Sequence, residues 1–171
     1  MANAYAEIAG EGWNVPAFFT DQGDAPWDFS YVDSTVSNGV ATITINRPEA
    51  MNALNVTVVG QLTQAVADAN ADEAVHTIVV DGAGKAFVAG ADVKFFVDKI
   101  RADAIPEIYD FTADGHELLN MLETSSKTTI ALTTGLALGG GLELALACDY
   151  RIGTRRTPVS YTHRRCRRTR L

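Results

Sequence analysis

Along the chain the spacing of apolar positions changes period several times. "VATITIN", residues 40–46, alternates apolar and polar side chains and is rich in β-branched residues, which predicts a strand. Asn38-Gly39 just before it is a hairpin turn pair, and it joins this strand to a shorter one near "FSYVDS". Pro48 in "RPEAMNALN" ends the strand. Over "VTVVGQLTQAVADANAD" the spacing becomes helical, with Val59, Leu62, Ala65, Val66 and Ala69 on one stripe despite Gly60. "HTIVVDGAG" is a short apolar run closed by glycines, the pattern of a buried strand, and "DVKFFVDKI" begins a helix that Asp92 can cap. From Pro106, the positions Ile108, Phe111, Leu118, Leu119 and Leu122 predict a longer helix reaching about Glu123. "KTTIALTTG" reads as a strand, and "GLALGGGLELALACD" starts a helix straight after it.

Strands alternating with helices through short glycine turns predict an α/β fold with right-handed crossovers and a mostly parallel sheet. No repeat of fixed length is visible. Residues 33–154 carry this pattern. Residues 1–32 are rich in Gly, Asp, Pro and aromatics without a sustained period and form a lead-in. At 171 residues the chain suits one domain or part of a larger one.

Charge changes the picture at one place. All 21 acidic residues precede position 150, whereas 7 of the 14 basic ones are arginines in the last seventeen residues. Residues 155–171 therefore form a basic tail of foreign composition, expected to be non-native or disordered. Arg47, Asp68, Asp81 and Asp92 interrupt every apolar stretch before it reaches membrane-spanning length, so no membrane span is expected. The N-terminus shows neither a secretory signal nor an arginine-rich transit segment, and the expected location is cytoplasmic. Cys148 and Cys166 make no disulfide framework and have no zinc-ligand spacing to a histidine, so no metal is expected.

Two glycine turns carry the candidate chemistry. Gly82, Gly84 and Gly90 lead off a strand towards the helix at Asp92, while Gly139, Gly140 and Gly141 open a helix whose first N–H groups lack internal acceptors. Bare amides from two turns that meet at one oxygen make an oxyanion hole. Nucleotide motifs fail: a phosphate loop ending at Gly84-Lys85 puts Val79 on its first glycine and Ala86 on its last position, and Leu144 occupies the third glycine of a dinucleotide fingerprint. Glu143 is the single carboxylate in an otherwise apolar run, so the sequence predicts a buried charge, which is costly without a reason. Taken alone, an acid in a first helical turn complements the helix dipole for about 0.3–1 kcal/mol. His76, His116 and Cys148 read as structural or exposed residues, and Lys94 alone as a solvated charge.

"NRPEAMNAL", "GAGKAFVAGADVK" and "GLALGGGLELALACDYRI", in this order and spacing, resemble the crotonase family of enoyl-CoA hydratases and isomerases over about residues 33–153. The resemblance implies a spiral of β-β-α units, incomplete at its C-terminal end, and acyl-CoA substrates with no other cofactor. It implies an oxyanion hole from the N–H groups of Ala91 and Gly140, with Glu143 as the catalytic carboxylate. Ala50, Ala89, Asp92, Val93 and Lys94 fall on the coenzyme A site, with Lys94 available to the phosphates.

Hydratases of the family use a second glutamate in a Pro-Glu stretch after the next strand. Here that region reads "TRRTPVSYTHRRCRRTRL", with His163 near the expected place and no acid after Asp149. The composition break points to a coding sequence truncated or shifted in frame near residue 154. A chain of this kind is expected to hold half a site and to be inactive or poorly folded, and the family's trimers or hexamers need segments it lacks. The motifs leave open an enoyl-CoA isomerase, an acyl-CoA hydrolase or decarboxylase, and a non-catalytic acyl-CoA-binding fragment. Nucleic-acid binding by the arginines is disfavoured by the acidic body.

Overall fold

The computed structural model describes residues 30–154 and 157–160. Most of the lead-in and, beyond residue 160, the arginine-rich stretch with His163 lie outside the described residues.

The hairpin forms as the sequence predicts. Strands β1 (Val32–Ser37) and β2 (Val40–Ile45) pair antiparallel across Asn38 and Gly39, whose φ values of 51° and 77° are the two positive angles that a tight hairpin turn requires. The first strand begins later than the "FSYVDS" segment suggests. Strands β3 (Thr77–Gly82), β5 (Thr128–Thr133) and β7 (Tyr150–Gly153) then add in parallel, giving one five-stranded sheet in the order β1-β2-β3-β5-β7.

A second, smaller sheet pairs β4 (Ala86–Val88) with β6 (Leu136–Ala137), also in parallel. Neither is visible in the sequence, because two or three residues carry no period. The helices are α1 (Val56–Ala71), α2 (Val93–Arg101), α3 (Ile105–Glu123) and α4 (Gly140–Ala147). The chain therefore winds as β1-β2-α1, β3-β4-α2-α3 and β5-β6-α4, each turn a β-β-α unit, and β7 opens a fourth. Residues 157–160, grouped with the tail by composition, continue this spiral. Val159 bridges to Ala137, and the Ala137 amide donates to Pro158 O at 3.0 Å.

The core lies between the large sheet and the helices. The alternation of β2 buries Ala41, Ile43 and Ile45 completely, and β3 adds Ile78 and Val80. Helix α1 lays Val58, Val59, Leu62, Val66 and Ala69 on them. Val58 joins the predicted stripe, and Ala65 sits at its half-buried edge. Leu118 and Leu122 of α3 complete the layer, and Phe95, Phe96 and Phe111 cluster where α2 meets α3, with centroids 5.0–5.7 Å apart. Among the described residues, no helix is long and apolar enough to cross a membrane.

One buried polar side chain fastens the turn after β2. Asn52, fully buried, accepts the Arg47 amide at 2.8 Å and donates to Ala83 O and Ala86 O at 2.9 and 2.8 Å. Replacing Asn52 with Ala strands three backbone groups, and urea denaturation is expected to show a loss of about 2–4 kcal/mol.

Cys148 follows α4 and is 3% exposed. Burial pushes its thiol up from 9.0 to about 11, with Arg151 opposing and Asp149 adding to the shift. The folded state keeps this proton until about pH 11, whereas the unfolded chain releases it near 9.0. The native chain is therefore expected to lose stability as pH rises from 9 to 11 more steeply than Cys148→Ser, which measurements of unfolding midpoint against pH will show.

Candidate active site

The two glycine turns are neighbours because the short strands before them are. β4 leads into residues 89–92 and β6 into residues 138–141, and the β4–β6 pairing brings these exits together. A β-carbon built on Gly139 would stand 3.7 Å from the Cα of Gly90, so the two backbones pass in contact.

In the first turn the backbone is used alternately. Leu54 forms an isolated parallel bridge with Ala91: its amide donates to Gly90 O at 2.8 Å, and its carbonyl accepts from the Asp92 amide at 2.8 Å. Successive peptide groups of an extended segment face opposite sides, so the bridge consumes groups of residues 90 and 92 and turns the Ala91 N–H away from Leu54. Among the described residues, that N–H has no acceptor.

The second turn reaches the same result by another route. The first four amides of a helix normally lack partners. Here the Gly141 amide donates to Leu138 O at 2.9 Å, and the amides of Leu142 and Glu143 donate to Gly139 O at 2.8 and 3.1 Å. Of these four amides, Gly140 alone has no acceptor among the described residues. The tight approach demands glycine: a β-carbon on Gly141 would lie 2.1 Å from Val88 O, and Gly139 adopts φ +48°.

Ala91, Gly140 and Glu143 line one cavity of about 190 Å³. Its apolar wall comes from Leu54, Phe111, Leu118 and Leu144. The Glu143 carboxylate lies 4.0 Å from where a Gly140 side chain would begin. The sequence's buried charge is corrected here: Glu143 is exposed, because α4 turns Gly141, Leu144 and Ala145 to the core and presents Glu143 and Leu146 outwards. A second hollow of about 550 Å³ between α3 and α4 shares His116, Leu119 and Glu143 with the first. The carboxylate thus stands where the two meet.

The other expected residues fall on two touching segments. Ala50 closes a one-turn 3₁₀ helix, Pro48–Ala50, and the Ala89 amide donates to Met51 O at 3.1 Å. Asp92 caps α2 by accepting the Lys94 amide at 3.1 Å, and its other oxygen accepts Arg47 Nη1 at 2.8 Å. Val93 and Lys94 are exposed on the first turn of α2. None of Ala50, Ala89, Asp92, Val93 and Lys94 lines the cavity.

Sequence reasoning missed the α3 wall. Phe111, Thr112, Gly115, His116 and Leu119 line the cavity at helical spacing, so one face of α3 is divided between core and site. His116 is exposed, as expected, but borders both hollows. The spacing alone could have flagged this face, since Gly115 and His116 interrupt its apolar stripe.

A family model described as enoyl-CoA hydratase/isomerase matches residues 40–163. Crotonyl-CoA hydratase of Syntrophomonas wolfei subsp. wolfei is 42% identical over 114 residues, which cover 66% of this chain and 42% of that protein. Short-chain-enoyl-CoA hydratase of Clostridium acetobutylicum is 38% identical over 116 residues, covering 67% of this chain and 43% of that one. Among solved structures, an enoyl-CoA hydratase/isomerase from Xanthobacter autotrophicus Py2 superposes with a TM-score of 0.68 at 35% identity, over 76% of this chain and 48% of that one. The chain spans about two fifths of the length of the curated relatives it matches. By sequence and by its spiral of β-β-α units alike, the chain belongs to the enoyl-CoA hydratase/isomerase, or crotonase, family.

Proposed function

We propose that the site binds a 2-enoyl thioester of coenzyme A and serves the addition of water across its 2,3 double bond. The observation that supports this most directly is the pair of free amides, Ala91 and Gly140, bordering one cavity with Glu143. Relatives named crotonyl-CoA hydratase and short-chain-enoyl-CoA hydratase favour hydration over the family's other reactions.

The chemistry follows from the parts. The thioester oxygen lies between the two N–H groups. The Glu143 carboxylate takes a proton from water as the water oxygen bonds to C3. The π electrons of the C2–C3 bond move towards the thioester carbonyl, and the enolate charge on its oxygen is held by the two amides and the N-terminus of α4. C2 then takes that proton from the protonated Glu143, which restores the carboxylate and completes the addition of water. At about 190 Å³ the cavity is smaller than the roughly 300–1,000 Å³ of sites that enclose a whole drug-sized ligand, so it suits the thioester and the first acyl carbons. The coenzyme A portion lies outside, along Ala50, Ala89, Asp92, Val93 and Lys94, where the Lys94 ammonium is available to a phosphate.

Glu143→Gln keeps the shape of the carboxylate and removes its basicity. With crotonyl-CoA, whatever hydration the 171-residue chain retains is expected to fall about 10²- to 10⁴-fold in this variant, followed as loss of the conjugated thioester's absorbance, while thioester affinity stays within about threefold. A variant as active as the parent overturns the role of Glu143. A parent chain that binds no acyl-CoA overturns the reading altogether.

A further inference from the structure

We propose that Arg47 is a positioning residue for the Ala91 donor, acting through Asp92; the inference rests on the reading of Ala91 and Gly140 as an oxyanion hole. Its starting point is the weakness of the contact that aims Ala91. Leu54 and Ala91 form an isolated bridge, outside any ladder, and the nearest further backbone bond between the two segments is the Ala89 amide on Met51 O.

Arg47 spans that bridge. Its Nη1 donates to Ala53 O at 3.1 Å, beside Leu54 on one side, and to Asp92 Oδ2 at 2.8 Å, beside Ala91 on the other. One planar nitrogen thus ties the residue before Leu54 to the residue after Ala91, which fixes both the spacing and the register of the pair. The side chains are only 16% and 20% exposed, so solvent screens the pair weakly.

Arg47 is itself held from several sides. Its amide is fixed by Asn52 Oδ1 at 2.8 Å, and its guanidinium carbon stands 5.5 Å from the Tyr31 ring centroid. Its Nε has no hydrogen-bond partner among the described residues and lies 3.9 Å from Glu49 Oε1. The two Asp92 oxygens divide the work: Oδ2 takes Arg47, while Oδ1 takes the Lys94 amide and starts α2. The charge of Arg47 therefore reaches the Ala91 peptide through a carboxylate one residue away, without touching the cavity: Arg47 is absent from its lining.

A residue that only stabilises the fold would weaken all ligands alike. A residue that aims the Ala91 amide affects ligands that carry the carbonyl oxygen. The test uses the 171-residue chain with butyryl-CoA and with S-butyl-CoA, its thioether analogue, by titration calorimetry, alongside crotonyl-CoA hydration kinetics. The parent is expected to prefer the thioester about tenfold or more, as two hydrogen bonds supply. Arg47→Met is expected to bind S-butyl-CoA as the parent does but to lose the thioester preference, with kcat falling about 10²-fold and KM for crotonyl-CoA changing less than about threefold. Asp92→Asn, which keeps the capping oxygen and the side-chain shape, gives an independent reading should Arg47→Met fold poorly, and is expected to lose preference in the same direction. Unchanged preference and kcat in a folded variant overturn the Arg47 assignment and leave the site reading standing. A parent that binds both compounds equally overturns the oxyanion-hole reading, and this inference with it.

Discussion

A buried backbone amide is costly to leave without an acceptor, and among the described residues the Ala91 amide of one turn and the Gly140 amide of the other have none. In the first turn, the parity of an extended chain decides which amide is left: a bridge that uses residues 90 and 92 must pass over Ala91. In the second, a tight turn bends the amides of Gly141, Leu142 and Glu143 back onto Leu138 and Gly139 and leaves Gly140 over. Both free donors sit in segments that follow paired strands of the small sheet, which joins the second strands of two consecutive β-β-α units.

Much of this architecture was legible in the sequence, and the reasons separate what was from what was not. Asn38-Gly39, the alternation of β2 and the stripe of α1 are local signals, and each formed close to where the pattern put it. β4 and β6 were invisible, since a strand of two or three residues owes its existence to a partner about fifty positions away, Leu136 for Ala86. Yet those strands bring the site together. The donors were assigned through the resemblance of three motifs, and composition alone offered glycine turns with no means of pairing them.

Glu143 shows where pattern misleads. An acid among leucines and alanines suggests burial, but a short helix between a core and open surface can be apolar on both faces. Leu146, 59% exposed, lies on the same outward side. Arg47 was missed for the opposite reason. It stands 45 residues from Asp92, and a charged residue in a proline turn carries no sign that its partner is the cap of a later helix.

The position of the carboxylate depends on how α4 is held, because eight residues are too few to be helical on their own. At its start, the Leu138 amide donates to Val88 O at 3.0 Å and Gly141 lies against the same carbonyl, so the first turn is fixed to β4. At its end, no glycine closes the helix. Arg151 Nη1 instead donates to Ala145 O and Cys148 O at 3.3 and 2.8 Å, placing a cation at the negative end of the helix dipole. Leu144 and Ala145, both 1% exposed, then fix the rotation of the helix about its axis. With both ends and the rotation set, the outward direction of Glu143 follows from helix geometry. The acid makes no hydrogen bond among the described residues, and its position beside Gly140 is set by the helix rather than by a partner of its own.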